Sequence, residues 1–221
     1  MTTLVALGAS LGGFDAIRSL LRPLRSSCDA ALVIAQHRSP QADATLLDLL
    51  AQHCALPISE PCDRDPIEPG HVYLAPADYH LLVEPGCFSL SIDAPVSFAR
   101  PSIDVLFESV AAAYRSAAVG IVLTGSSRDG AWGAAAIKRA GGRVFVQDPL
   151  LAHSPIAPEA TLALADVDAV LSLDRLAEVL NQLCHSANAP TTTPTTPAQA
   201  DATNANPTQD TTPCGRASDG S

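Results

Sequence analysis

Apolar residues fall into two alternating rhythms along the first 185 positions of the chain. Short, nearly continuous apolar runs stand at 3–7 (TLVAL), 31–35 (ALVIA), 118–123 (AVGIVL) and 143–146 (RVFV). Runs this short, bounded by turn residues, predict strands buried on both faces. Between the first two, Phe14, Ile17, Leu20, Leu21 and Leu24 recur at helical spacing, and Pro23 should end or kink that helix. ATLLDLLAQHC, SIDVLFESVAAAYR and AWGAAAIKRAGG repeat the helical period, the last stopped by Gly141 and Gly142. LDRLAEVLNQL follows a further short apolar run, AVLSL. Strands alternating with helices predict parallel βαβ units and an α/β fold. Residues 70–92 break the rhythm: HVYLAP, YHLLVEPG and CFSLSID are short and punctuated by Pro85-Gly86, which predicts an antiparallel meander or hairpin.

The pattern stops near residue 185. Residues 186–221 hold no Val, Ile, Leu or aromatic residue and are dominated by Thr, Pro, Ala, Asn and Asp. Such a segment has too little apolar surface to offset the entropy of ordering it. The expected organisation is therefore one domain over 1–185 and a disordered tail over 186–221.

Charge removes whole classes of partner. The formal net charge is −10, and the tail contributes −2 of it through Asp201, Asp210, Asp219 and Arg216. Lys138 is the only lysine, and the arginines form no cluster. Nucleic acid and anionic membrane surfaces, which need dense Lys and Arg, are excluded as expected partners. The six cysteines are scattered without a CxxC pair, no His spacing suits zinc, and no apolar run reaches the ~20 residues of a membrane helix. The N-terminus lacks the basic stretch of a signal peptide. A reduced, soluble, cytoplasmic protein without a metal is the expectation.

Candidate chemistry lies just past the carboxyl ends of the predicted strands, where open α/β sheets bind ligands. The first strand runs into Gly8-Ala9-Ser10-Leu11-Gly12-Gly13, a G-x-S-x-G turn leading into a helix. A dinucleotide fingerprint would need Gly where Ser10 stands and an acid where the second strand ends in Gln36-His37. That leaves Ser10 as helix cap, as part of an anion loop, or as nucleophile. His37, at the end of the neighbouring strand, favours the nucleophile, because a serine needs a base within hydrogen-bond reach. The third strand leads to Leu123-Thr124-Gly125-Ser126-Ser127-Arg128-Asp129-Gly130. Asp129 is either a cap of the next helix or the carboxylate that orients His37. The chain order Ser, His, Asp differs from that of the α/β-hydrolases.

GASLGG at 8–13, QHRSP at 36–40, EPGHVYLAPADYHLLVE at 68–84, RPSIDVLFESVA at 100–111, GIVLTGSSRDGAWG at 120–133 and AGGRVFVQD at 140–148 are together similar to one family. The chain resembles the catalytic domain of the chemotaxis protein-glutamate methylesterases (CheB-type) over residues 3 to about 182. The resemblance implies a three-layer α/β/α sandwich with a doubly wound, mostly parallel sheet and an antiparallel hairpin. It implies Ser10 as nucleophile, His37 as general base, Asp129 as orienter and the backbone amide of Ser126 as oxyanion donor. The implied reaction is demethylation of glutamate methyl esters on the cytoplasmic helices of methyl-accepting chemoreceptors, with deamidation of receptor glutamines in some members. No cofactor is implied. Many relatives carry an N-terminal phospho-receiver domain, whereas this chain opens on its first core strand. The expectation is constitutive activity, or control by a separate response regulator.

The chain departs from the family pattern at Leu11, where a small residue or Thr is usual, and at Ser126-Ser127, where Met-Gly is usual. A third departure is Ile156-Ala157, in place of a Gly-Met pair. These departures keep open an alternative: a catalytically degenerate module of the same fold that binds receptor or partner without turnover.

Overall fold

The computed structural model describes residues 3–41 and 45–185, so the tail expected over 186–221 lies outside the described residues. The elements in chain order are β1 (Leu4–Ala9), α1 (Gly13–Leu21), β2 (Ala31–Gln36), α2 (Thr45–Ala51), β3 (Ile58–Ser59), β4 (Val72–Leu74), β5 (His80–Glu84) and β6 (Cys87–Ser91). They continue as α3 (Ile103–Tyr114), β7 (Ala118–Val122), α4 (Ala131–Arg139), β8 (Arg143–Gln147), α5 (Ile156–Leu164), β9 (Ala169–Leu171) and α6 (Leu173–His185).

Seven strands form one parallel sheet in the order β3-β4-β2-β1-β7-β8-β9. Side chains alternate across it, and the alternation divides the core in two. Val5, Leu7 and Ala9 face one layer with Leu32 and Ile34, against Ile17, Leu20 and Leu21 of α1, Leu50 of α2 and Leu180 of α6. Leu4 and Ala6 face the other with Ala31 and Val33, against Leu106 and Phe107 of α3 and Ile137 of α4. Both faces of β1 and β2 are covered, which is why these strands read as unbroken apolar runs. The result is the expected three-layer α/β/α sandwich.

The segment at 70–92 behaves differently from its reading. Val72–Leu74 is buried at all three positions and joins the main sheet parallel to β2. The antiparallel pair is confined to β5 and β6, a separate two-stranded hairpin whose Leu81, Val83 and Phe88 pack into the α3 layer. Helix α5 has no clear signal in sequence, because its apolar residues lack a clean period and Pro158 interrupts them. Pro158 sits in the first turn, where no intrahelical N–H bond is lost, and Ala157, Ala160 and Thr161 bury against the sheet. The expectation of uniformly reduced cysteines is also corrected. Cys28, in the loop before β2, and Cys184, in the last turn of α6, are joined as a disulfide across 156 positions of sequence. A pair that distant leaves no spacing signal. Cys54, Cys62 and Cys87 are free thiols.

From β1 the chain crosses by α1 to β2 on one side, and from β7 it crosses by α4 to β8 on the other. The connections therefore diverge between β1 and β7. This is the switch point at which an open sheet leaves a crevice past its carboxyl ends.

Candidate active site

The turn after β1 is held from both neighbouring strand ends. Ser10 N donates to Thr124 O at 3.0 Å, and His37 N donates to Ala9 O at 3.0 Å. The Gln36 side-chain amide donates to Ser10 O at 2.9 Å and to His37 O at 3.1 Å, tying the two loops together. Gly12 is left-handed at φ 78°, and a Cβ there would lie 2.6 Å from His153 Cβ. No larger residue fits this turn without moving its neighbours.

Two alternatives from the sequence are resolved by these caps. The residue that caps α1 is Gly12, with no side-chain cap bond, so Ser10 is not the cap of its own helix. Likewise Gly130 caps α4 without a side-chain bond, and the Asp129 carboxylate turns elsewhere. Its Oδ2 meets His37 Nε2 at 2.7 Å and accepts from Ile103 N at 2.7 Å. Its Oδ1 accepts from Ser102 Oγ at 2.8 Å and from Asp104 N at 3.0 Å. The carboxylate thus sits on the N-terminus of α3, where free amides and the helix dipole favour negative charge. Asp129 is only 1% exposed. Burial pushes its carboxyl up, but the His37 bond, the Asp104 and Ile103 amides and the Ser102 hydroxyl outweigh burial and hold it below the ordinary carboxylate value.

His37 has its Nε2 engaged by Asp129, which assigns the proton to that nitrogen and leaves Nδ1 as the basic one. Ser10, His37 and Ser126 line one open groove of about 450 Å³, together with Leu11, Gly12 and Gln36. Ser10 makes no hydrogen bond to His37 among the described residues; such contacts are often long until substrate binds. The amide of Ser126 donates to no group among the described residues. All four residues singled out in the sequence therefore meet at the switch point.

Several supporting residues are not singled out in the sequence, being neither reactive nor in a motif with a known job. Thr124 Oγ1 donates to Leu11 O at 2.9 Å and accepts from Ser154 N at 2.8 Å, while Gln147 Oε1 accepts from Thr124 N at 2.8 Å. Ser154 Oγ donates to Gly125 O at 3.0 Å. These buried groups fix the loop that carries Gly125 and Ser126. The usable clue was polarity directly at the end of an apolar strand, as at Thr124 and Gln147.

Asp104 is a second buried carboxyl beside Asp129. Its Oδ1 accepts from Gly130 N at 2.9 Å and from Gly133 N at 2.7 Å, so it anchors the start of α4 to α3. Burial, opposed by the Gly133 amide and aided by the Asp129 charge, raises its pKa from 3.8 to about 6. A folded-state value above the unfolded one means that stability is present below about pH 4 and is lost as pH rises to about 6. Asp104→Asn keeps the acceptor and removes the titration. Urea midpoints at both ends of that window should show the variant gaining on the wild type as pH rises. An equal difference at both ends would contradict the assignment.

Packing under α3 is equally constrained. A Cβ on Gly8 would lie 2.3 Å from Ile103 Cγ2, beside the amide that holds Asp129. Gly8→Ala is therefore expected to cost about 1–3 kcal/mol, read from denaturant unfolding. It should also lower turnover, because α3 must shift from beneath the carboxylate.

Among the described residues no three His, Cys, Asp or Glu side chains gather as metal ligands, and no helix is long and apolar enough to cross a membrane. The model of the CheB methylesterase family matches residues 5–180. A putative protein-glutamate methylesterase/protein-glutamine glutaminase of Leptospira interrogans is 39% identical over 180 residues, covering 81% of this chain and 93% of that protein. Proteins named protein-glutamate methylesterase/protein-glutamine glutaminase from Trichodesmium erythraeum and Bordetella pertussis are 36% and 39% identical, each over 79% of this chain. The chain spans about half of those two relatives, 51% of each. The crystal structure of the Thermotoga maritima CheB methylesterase catalytic domain superposes with a TM-score of 0.79 at 28% identity, over 83% of this chain and 99% of that one.

Proposed function

The chain belongs to the CheB methylesterase family, and from that premise we propose that Ser10, His37 and Asp129 form the triad of a protein-glutamate methylesterase acting on chemoreceptors in the cytoplasm. The observation that carries the site assignment is the His37–Asp129 bond of 2.7 Å, made by a carboxylate diverted from its own helix. The catalytic unit is assigned to 1–185, a span that contains the whole family match.

The chemistry follows from the donors in place. Ser10 Oγ attacks the carbonyl carbon of the γ-methyl ester while His37 Nδ1 takes its proton. The imidazolium that forms is stabilised through Nε2 by Asp129, whose charge persists because its carboxyl is held low. Negative charge growing on the carbonyl oxygen is met by the Ser126 amide. The carbon–methoxy bond then breaks, the methoxy oxygen takes the proton from His37, and methanol leaves. Water attacks the acyl-enzyme and gives a proton to His37; the Ser10–acyl bond then breaks, His37 returns the proton to Ser10 Oγ, and the glutamate side chain is freed and ionises to the carboxylate. A glutamine side chain follows the same course with ammonia as leaving group. That is the second activity named for the relatives.

The test is mass spectrometry of a methylated chemoreceptor cytoplasmic fragment incubated with the chain. Each ester hydrolysed removes one CH2 from the fragment, and each deamidated glutamine exchanges NH2 for OH. Unchanged fragment masses on several receptors would sink the reading.

A further inference from the structure

The loop between β6 and α3 ends in a tight turn whose composition opposes its conformation. Val96 N donates to Ala99 O at 3.1 Å and Ala99 N donates to Val96 O at 2.9 Å, closing a turn with Ser97 and Phe98 at its centre. Both central residues are left-handed, with φ of 50° and 64°. Turns with positive φ at both centres are ordinarily Asn-Gly or Asp-Gly, because a bulky side chain is strained there. Phe98 is also fully exposed, at 104% of its reference area, so no contact within the protein accounts for the ring.

The turn is nonetheless firmly mounted. Arg100 donates through Nε and Nη2 to Asp78 Oδ1 at 3.0 and 2.6 Å, and through Nη1 to the carbonyls of Ile92 and Asp93 at 2.7 and 3.0 Å. Buried His80 accepts from Ser102 N at its Nδ1 and so donates through Nε2 to Ala94 O at 3.2 Å. The same Ser102 holds Asp129 through its hydroxyl. The turn is thus built onto the support of the catalytic carboxylate.

Its place relative to the reaction is equally specific. Phe98 and Ser97 line a cavity of about 370 Å³ whose other walls include His37, Asp78 and Arg100. His37 also lines the Ser10 groove, so the two depressions adjoin at this residue. An ester seated over Ser10 must have the rest of its polypeptide leave the groove, and the cavity on the other side of His37 lies next to it. Asp78 and Arg100 neutralise each other at that rim, while Ile92 and Val96 add exposed apolar surface to the same loop.

We infer that Phe98 is a substrate-docking residue: the Ser97–Phe98 turn presents the ring to an apolar side chain of the protein substrate, next to the modified glutamate. This rests on the methylesterase reading and adds to it a determinant of specificity outside the triad. A strained turn and an exposed ring, each unfavourable in the free protein, are what a surface retained for a partner looks like.

Initial rates on a methylated receptor cytoplasmic fragment, measured for the whole chain and for Phe98→Ala and Phe98→Leu, test it. The expected result is a KM raised about tenfold or more by Ala with kcat moved less than about threefold, the mark of lost uniform binding. Leu should restore most of the affinity. Because the ring is exposed, unfolding midpoints of both variants should match the wild type, which separates docking from folding. A KM within about twofold of wild type for Ala, with wild-type turnover intact, would overturn this inference alone. Absence of turnover in the wild type would remove the inference together with the methylesterase reading.

Discussion

Replacing Ser10 by alanine is expected to lower receptor demethylation by about 10⁴-fold or more, the scale at which a serine hydrolase loses its nucleophile. The hydroxyl is the only atom removed. The turn that carries it is held by backbone and by Gln36, through Ser10 N to Thr124 O and the Gln36 amide to Ser10 O, and neither bond uses the side chain. Nor is a helix cap lost, because Gly12 occupies that position of α1. Stability should therefore stay within about 0.5 kcal/mol of wild type, as for a surface substitution that breaks no special contact. What survives is the contribution of substrate positioning and the Ser126 amide, which leaves some rate above that in water. A variant that retained a tenth of wild-type turnover would place the nucleophile elsewhere.

Asp129→Asn is expected to act on rate and stability together, unlike Ser10→Ala. Four donors converge on this carboxylate: His37 Nε2, Ser102 Oγ, Ile103 N and Asp104 N. An amide offers one oxygen and turns an NH2 toward the remaining donors. If the NH2 takes the place of Oδ2, the Ile103 amide loses its acceptor and the ring must present an unprotonated Nε2, which moves its proton to Nδ1, the nitrogen required as base. A fall in kcat of about 10³–10⁴-fold follows from that tautomer change. If the NH2 takes the place of Oδ1 instead, the buried Asp104 amide is left without an acceptor, and stability falls by about 1–3 kcal/mol. In either orientation an α3 amide loses its acceptor and the negative charge that stabilises the imidazolium is gone, so steady-state kinetics and urea unfolding of the one variant should both move. A variant normal in both would refute the grip of α3 on the triad.

The layers of the fold were legible because both faces of the central strands are buried. TLVAL and ALVIA read as unbroken apolar runs, and they proved to be β1 and β2 at the middle of the sheet. Val72–Leu74 reads as part of a meander in sequence but is a parallel strand of the main sheet. Three buried residues between Pro-rich turns look the same whether their partner strand is parallel or antiparallel. The hairpin beside it was readable, since Pro85-Gly86 supplies turn chemistry between two strands. Helix α5 and the Cys28–Cys184 disulfide were hidden for a different reason: each depends on tertiary neighbours far away in sequence.

The site divides in the same manner. Ser10, His37 and Asp129 stood out because each is a reactive side chain placed just past a strand end. For Asp129 the sequence could not separate the cap of α4 from a partner of His37. That decision depends on where the N-terminus of α3 lies, a long-range fact. Ser102 and Asp104 stood in a quoted motif without a role, because their task is to donate to and flank a carboxylate 25–27 positions away. Phe98 was silent in sequence. An aromatic residue in a loop has no periodicity to violate, and only its exposure and backbone conformation single it out.

A chain that hydrolyses glutamate methyl esters through Ser10 releases one methanol for each ester it cleaves. A receptor cytoplasmic fragment carrying labelled methyl groups would be incubated with the wild-type chain, with Ser10→Ala as the blank. Catalytic release of labelled methanol is expected from the wild type, and release at the blank level from the variant. Equal release by the two proteins, or none from either across several receptors, would contradict this expectation.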